Sequence, residues 1–121
     1  MKIIDSNLLI YSANEIHRNL RLFFVEKDTF VSSISKIEVL GYTKLTLDDK
    51  QYFEALFRNI QQIPISDTII DRATLLRQKH SLSVGDAIIA ATAMEYNAEI
   101  YTRNTKDFIK IKGIKCFNPI V

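Results

Sequence analysis

Asp5, Glu38, Asp86 and the pair Asn104 and Asp107 are the side chains of this 121-residue sequence that ask for a chemical explanation. Taken singly, each has a structural role to offer. Ser83-x-x-Asp86 resembles a capping box with Asp in place of the usual Glu or Gln, and Ser35-x-x-Glu38 matches one fully. Asp5 is placed to cap a helix starting at Ser6, and Asp107 can simply be solvated. An acid near a helix N-terminus gains about 0.3–1 kcal/mol from the dipole. Taken together, the acids read differently. All stand at expected strand ends or helix starts, and in open α/β sheets sites form outside the carboxyl ends of the strands. Like charges gathered at one edge repel and raise one another's pKa, so a fold gains no stability from keeping them there. A divalent cation removes the conflict. Hard oxygen ligands with open water positions suit Mg²⁺ or Mn²⁺ rather than zinc. An ion so held can align a phosphodiester, lower the pKa of a water and stabilise developing charge. No histidine or cysteine nucleophile is needed. His17 and His80 lie in polar helical stretches and read as bystanders, and the single cysteine, Cys116, excludes an internal disulfide and reads as core filler.

The elements that would position these acids follow from hydrophobic spacing. Residues 83–94, SVGDAIIAATAM, carry no charge after Asp86 and are mostly small. A surface helix is apolar on one stripe only, so this one is expected to be a central helix buried on most sides. Strands are expected at 2–5, 29–33, 63–65, 99–102 and 114–117. Pro64 marks the third as an edge or irregular strand. Helices are expected over 6–13 and 14–26, the latter with Ile16, Leu20, Phe23 and Phe24 at helical spacing. Another starts at Ser35, with Ile37, Leu40 and Leu45 among its apolar positions. One over 47–60 is opened by Asp48 or Asp49, and one over 67–79 is capped by Asp67. Strands alternating with helices imply an α/β fold whose mainly parallel sheet is covered on both faces, a three-layer α/β/α sandwich.

The length suits a single domain over 1–121. Hydrophobic residues at 47% and charged residues at 25% are an ordinary globular balance. No apolar run approaches the roughly 18 residues of a membrane span, and the start, MKIIDSNLLIY, does not read as a signal peptide. A soluble cytoplasmic protein without membrane partners is expected. A net charge of +2 is compatible with nucleic acid without arguing for it. The distribution says more: Arg103, Lys106, Lys110, Lys112 and Lys115 cluster near the C-terminus. Beside an acidic site such a patch can hold a phosphate backbone, and otherwise it is a solvated face.

The motifs IIDSNLLIY at the start, SSISKIEVLGY after the second strand, LSVGDAIIAATA at the buried helix and YTRNTKDF near the end, with the closing KGIKCFNP, resemble those of the PIN-domain family. The closer resemblance is to VapC-type toxins of bacterial toxin–antitoxin pairs, and it covers the whole chain. It implies a PIN-like sandwich in which Asp5, Glu38 and Asp86 form the acidic core. The fourth oxygen comes from Asn104 or Asp107, since family members often carry an acid where Asn104 stands. Ser6 and Thr102 match places where a hydroxyl supports the site. The resemblance further implies Mg²⁺- or Mn²⁺-dependent cleavage of RNA, a homodimer, and inhibition by a cognate antitoxin. A basic antitoxin side chain reaching the acidic pocket is a natural inhibitor.

Two other readings stand beside this one. The same fold can serve as a non-catalytic module that binds RNA or protein without cutting, and Asn104 in place of an acid is its support. A receiver-like phosphoacceptor domain also carries acids at strand ends, but it wants an acidic pair near the first strand, where Asp5 stands alone between Ile4 and Ser6. The aromatics Phe23, Phe24, Tyr42, Tyr52, Phe53 and Phe57 are either core or a face for a second copy or an antitoxin helix.

Overall fold

The computed structural model describes residues 1–120. Strands β1 (Lys2–Ile4), β2 (Thr29–Ser32), β3 (Gln61–Ile63), β4 (Glu99–Tyr101) and β5 (Lys115–Phe117) form one sheet in the order β3-β2-β1-β4-β5. Every pairing is parallel. Ile3 faces one core and Ile4 the other, and both are fully buried. Three backbone bonds carry the ladder one residue further at its carboxyl edge: Asp5 N–H to the Tyr101 carbonyl, Ser33 N–H to Ile63, and Thr102 N–H to Phe117, at 2.9, 3.0 and 3.0 Å. They bring Asp5 and Thr102 to a common edge.

Helices α1 (Ser6–Ser12), α2 (Arg21–Phe24), α3 (Ile34–Leu40), α4 (Leu47–Asn59), α5 (Asp67–Lys79), α6 (Val84–Tyr96) and α7 (Thr105–Ile109) flank the sheet. One core joins Ile3, Ile63 and Ile100 to α5, α6 and Phe108 of α7. The other joins Ile4 and Val31 to Leu8 and Leu9 of α1, Val39 of α3, and Phe53 and Phe57 of α4. These are the outer layers of a three-layer α/β/α sandwich.

Helix α6 is the expected buried helix. Eight of its residues are buried, among them Ile89, Ala90 and Ala91 at 0% exposure. Alanine is the best helix former, and its small side chain lets α6 lie close between α5 and the sheet. Ser83 caps its start, accepting from Asp86 N–H at 3.1 Å, and Asn97 ends it in the left-handed conformation (φ 51°). Among the described residues no helix is long and apolar enough to cross a membrane.

The sequence expectations need correction in several places. Residues 14–26 are not one α-helix: Glu15–Leu20 is a 3₁₀ helix with a non-helical His17, and Ile16 is 80% exposed. The caps of α4 and α5 are hydroxyls, not acids. Thr46 accepts from Asp49 N–H and Ser66 from Ile69 N–H, because a short hydroxyl in extended backbone reaches the N3 amide. The third strand ends at Ile63 rather than starting there, though it is the edge strand that Pro64 suggested. Helix α3 stops at Leu40, so Leu45 packs from a loop, and Ile37 faces outward. Phe24, Phe53 and Phe57 are core, Phe23 and Tyr52 pack against it, and of the six aromatics only Tyr42 is exposed. Cys116 is partly buried against the first core, where burial pushes its thiol pKa up.

Candidate active site

Asp5 follows the central strand and lies at the N-cap position of α1, but its side chain makes no capping bond. Its Oδ2 instead accepts from the Thr102 hydroxyl at 2.7 Å, across the sheet from β1 to the end of β4. Thr102 Oγ1 in turn accepts from Asn104 N–H at 2.9 Å. The Asp5 carboxyl is pushed up to about 6, by burial first and then by the Asp86 and Glu38 charges, against the pull of the Thr102 hydroxyl and the Ser6 amide.

Glu38 is not part of a capping box. Its partner in that reading, Ser35, lies inside α3, fully buried, and the N-cap residue Ser33 makes no side-chain cap bond. The Ser6 hydroxyl donates to Glu38 Oε1 at 2.7 Å and shares a 2.8 Å hydrogen bond with Ser35 Oγ. These bonds draw the Glu38 carboxylate toward Asp5. It also lies against the first turn of α6, where Gly85 leaves the backbone bare. A Cβ at residue 85 would stand 2.4 Å from Glu38 Oε2.

Asp86 sits in that same turn, half-buried. Burial first, then the charges of Asp107 and Glu38, raise its pKa, while Ser83 and Lys110 oppose the rise. Asp107 and Asn104 are both exposed. Asn104 occupies the N-cap position of α7 with no side-chain cap bond, and Asp107 acts on Asp86 through its charge. The fold therefore brings Asp5, Glu38 and Asp86 to one sheet edge, with Ser6 and Thr102 bonded to two of them and Asp107 nearby. The Asn104 contact seen here is made by its backbone.

The residues are suited to a hard cation. The side-chain donors are all oxygens, the carboxylates have like charges for neighbours, and two have raised pKa values. Among the described residues no three acidic, histidine or cysteine side chains already stand where they could share one ion. That is no obstacle for Mg²⁺, which is commonly held through one or two carboxylates while keeping several waters. Asp5 and Asp86 offer such a pair.

Sequence reasoning missed Gly85 and Ser35. Ser35 was absorbed into a capping pattern. Gly85 left a usable signal, since one of only three glycines stands in the first turn of a helix, where a close approach is the usual reason.

A parallel α/β/α domain with carboxylates converging at the carboxyl edge of its sheet defines a class of site, and the comparisons fit it. Residues 2–114 match the family model described as PIN domain, and the chain belongs to that family. It is 40% identical over 66 residues to Ribonuclease VapC of Rickettsia bellii (strain RML369-C), a match spanning 54% of this chain and 48% of that protein. It is similar to a chain of a toxin–antitoxin complex from Klebsiella pneumoniae, at 32% identity and a TM-score of 0.80, covering 99% of this chain and 98% of that one. VapBC2 from Rickettsia felis, solved bound to a DNA fragment from its promoter, shares the fold at a TM-score of 0.80 and 19% identity over 97% of both chains.

Proposed function

We propose that this chain is a metal-dependent endoribonuclease, a single PIN-like nuclease domain over 1–121, and the toxin of a VapBC-type pair in the cytoplasm. Its substrate is RNA, and its protein partners are a cognate antitoxin and a second copy of itself. The observation that carries the reading is the convergence of Asp5, Glu38 and Asp86, three acids with no stabilising reason to meet. Similarity to a chain of the toxin–antitoxin complex from Klebsiella pneumoniae supports the biological setting.

Asp5 and Asp86 would hold Mg²⁺ or Mn²⁺ most directly. The ion, when bound, supplies the positive charge that aligns a phosphodiester, makes a water more acidic and offsets charge in the transition state. Everything else falls to this chain. Thr102 fixes the Asp5 carboxylate, Ser6, itself bonded to Ser35, fixes Glu38, and Glu38 completes the pocket or orients the attacking water. Asp107, whose charge reaches Asp86, is better placed than Asn104 to supply a fourth oxygen, directly or through water. That acid supports cleavage over the non-catalytic module that Asn104 alone suggests.

Calorimetric titration of Mn²⁺ into wild type and Asp86→Asn, paired with an RNA cleavage assay, tests this. Wild type should bind and cut, and the variant should lose both. RNA retained without turnover by wild type in saturating Mn²⁺ would favour the binding module, and full-rate cutting by the variant would end the mechanism. Light scattering at micromolar concentration tests the dimer, which a monomer would contradict.

A further inference from the structure

Arg103 follows Thr102 directly, and so stands one residue from the hydroxyl that holds Asp5. It is exposed, yet it is not free to wander. Its guanidinium lies over the Tyr11 ring, 4.7 Å from the centroid, and Nη1 donates to the Tyr11 hydroxyl. Its backbone amide points at Asn7 Oδ1, one turn earlier on the same helix. Tyr11 is itself steadied by an edge-on contact with His17 and by packing on the core. Among the described residues no acid lies within ion-pair distance of Arg103.

A guanidinium fixed on an aromatic face keeps most of its donor fork unspent, in a geometry that matches phosphate oxygens. Lys110 differs. Its Nζ donates to the Ser81 carbonyl at 3.0 Å, and it lies near enough to Asp86 to lower that group's pKa. Lys110 thus acts on the acids at Asp86, while Arg103 follows the residue whose hydroxyl holds Asp5. A negatively charged polymer must approach a cluster of carboxylates, and cations beside that cluster are what make its approach favourable.

We propose that Arg103, held on Tyr11 at the rim of the acid cluster, binds a backbone phosphate of single-stranded RNA beside the one to be cut. Tyr11 is its positioning residue. The inference rests on the ribonuclease reading for its substrate class. It makes Arg103 a contact that fixes the strand without reading its sequence.

The test is fluorescence anisotropy of a short labelled oligouridylate against the full chain in EDTA, over a range of salt, with Mn²⁺-dependent cutting measured separately. Arg103→Gln should bind about tenfold more weakly. Its plot of log affinity against log salt should be shallower by about 0.7, the change for one lost single-strand phosphate contact. Arg103→Lys should keep the slope and lose part of the affinity. A purely structural role would lower the Tm of Arg103→Gln and leave the slope alone, which would overturn the proposal. So would unchanged affinity and slope in Arg103→Gln when the wild type cuts RNA, or weakened association of the variant with an acidic protein partner while its RNA binding stays intact. Arg103-dependent binding by a wild type that never cuts would instead sink the ribonuclease reading and leave only the phosphate contact standing.

Discussion

The two ends of the sheet treat charge in opposite ways. At the amino edge, Lys2 pairs with Asp28 at 2.7 Å and with Glu26, and the N-terminal ammonium reaches Asp28 at 3.6 Å. Asp28 first and Glu26 second hold the Lys2 pKa above its usual range, and Lys2 holds Asp28 below its own. Opposite charges meet there at the surface, each favouring the ionised form of the other. At the carboxyl edge, like charges meet with burial added, and Asp5 and Asp86 are pushed toward protonation. The first end is arranged as folding alone would arrange it. The second costs stability, and an arrangement kept at a cost points to a task. The cost is bearable: ionising Asp5 against a pKa of about 6 takes about 3 kcal/mol, while each fully buried Ile, Leu or Phe contributes about 1.5–3 kcal/mol.

The sharpest way to break this contrast is Asp5→Asn. Cleavage should fall by orders of magnitude, while the protein becomes more stable in chelator at pH 8. The sign follows from linkage. Ionisation is harder in the folded chain than in the unfolded one, so wild type loses stability as pH rises from the ordinary 3.8 through about 6. Thermal melts in EDTA at pH 5 and pH 8 should show that loss in wild type and a smaller one, left by Asp86, in the variant. A wild type equally stable at both would erase the contrast.

Gly85→Ala comes next. The clash falls on the far end of the flexible Glu38 side chain, so the carboxylate should swing away rather than the fold give way. The expected result is a Tm equal to wild type or slightly higher, from better helix propensity, with a large fall in cutting rate. Rate and Tm falling together would mean that residue 85 matters to packing instead. Lys2→Met at the opposite edge should do least: a Tm lower by a few degrees at most, since exposed ion pairs contribute little, and an unchanged rate. A loss of activity there would mean that the two ends are coupled.

Much of this was legible in the sequence, for reasons that differ by element. The α6 run shows itself because a helix buried all round cannot carry charge, and the acids at strand ends show themselves through the geometry of parallel sheets. The break in the helix expected over 14–26 was missed because Leu20 and Phe24 fit helical spacing while Ile16 turns outward. The caps at Thr46 and Ser66 were missed because neighbouring aspartates also suit a helix start. The bonds of Ser6 to Glu38 and Ser35 and the Arg103–Tyr11 stack join residues many positions apart, and no local pattern announces such pairs.

The strand order has a consequence in time. β1 is made first, yet it is the middle strand, and its two neighbours start 27 and 97 positions later by register, at Thr29 and Glu99. The hydroxyl that holds Asp5 lies 97 residues further along the chain. At a synthesis rate of about 5–20 residues per second, roughly 5–20 s pass between the two. A partly made chain therefore has no assembled acid site. The stretch around Thr102 completes the site, so the acids cannot be held in place until that stretch has left the ribosome.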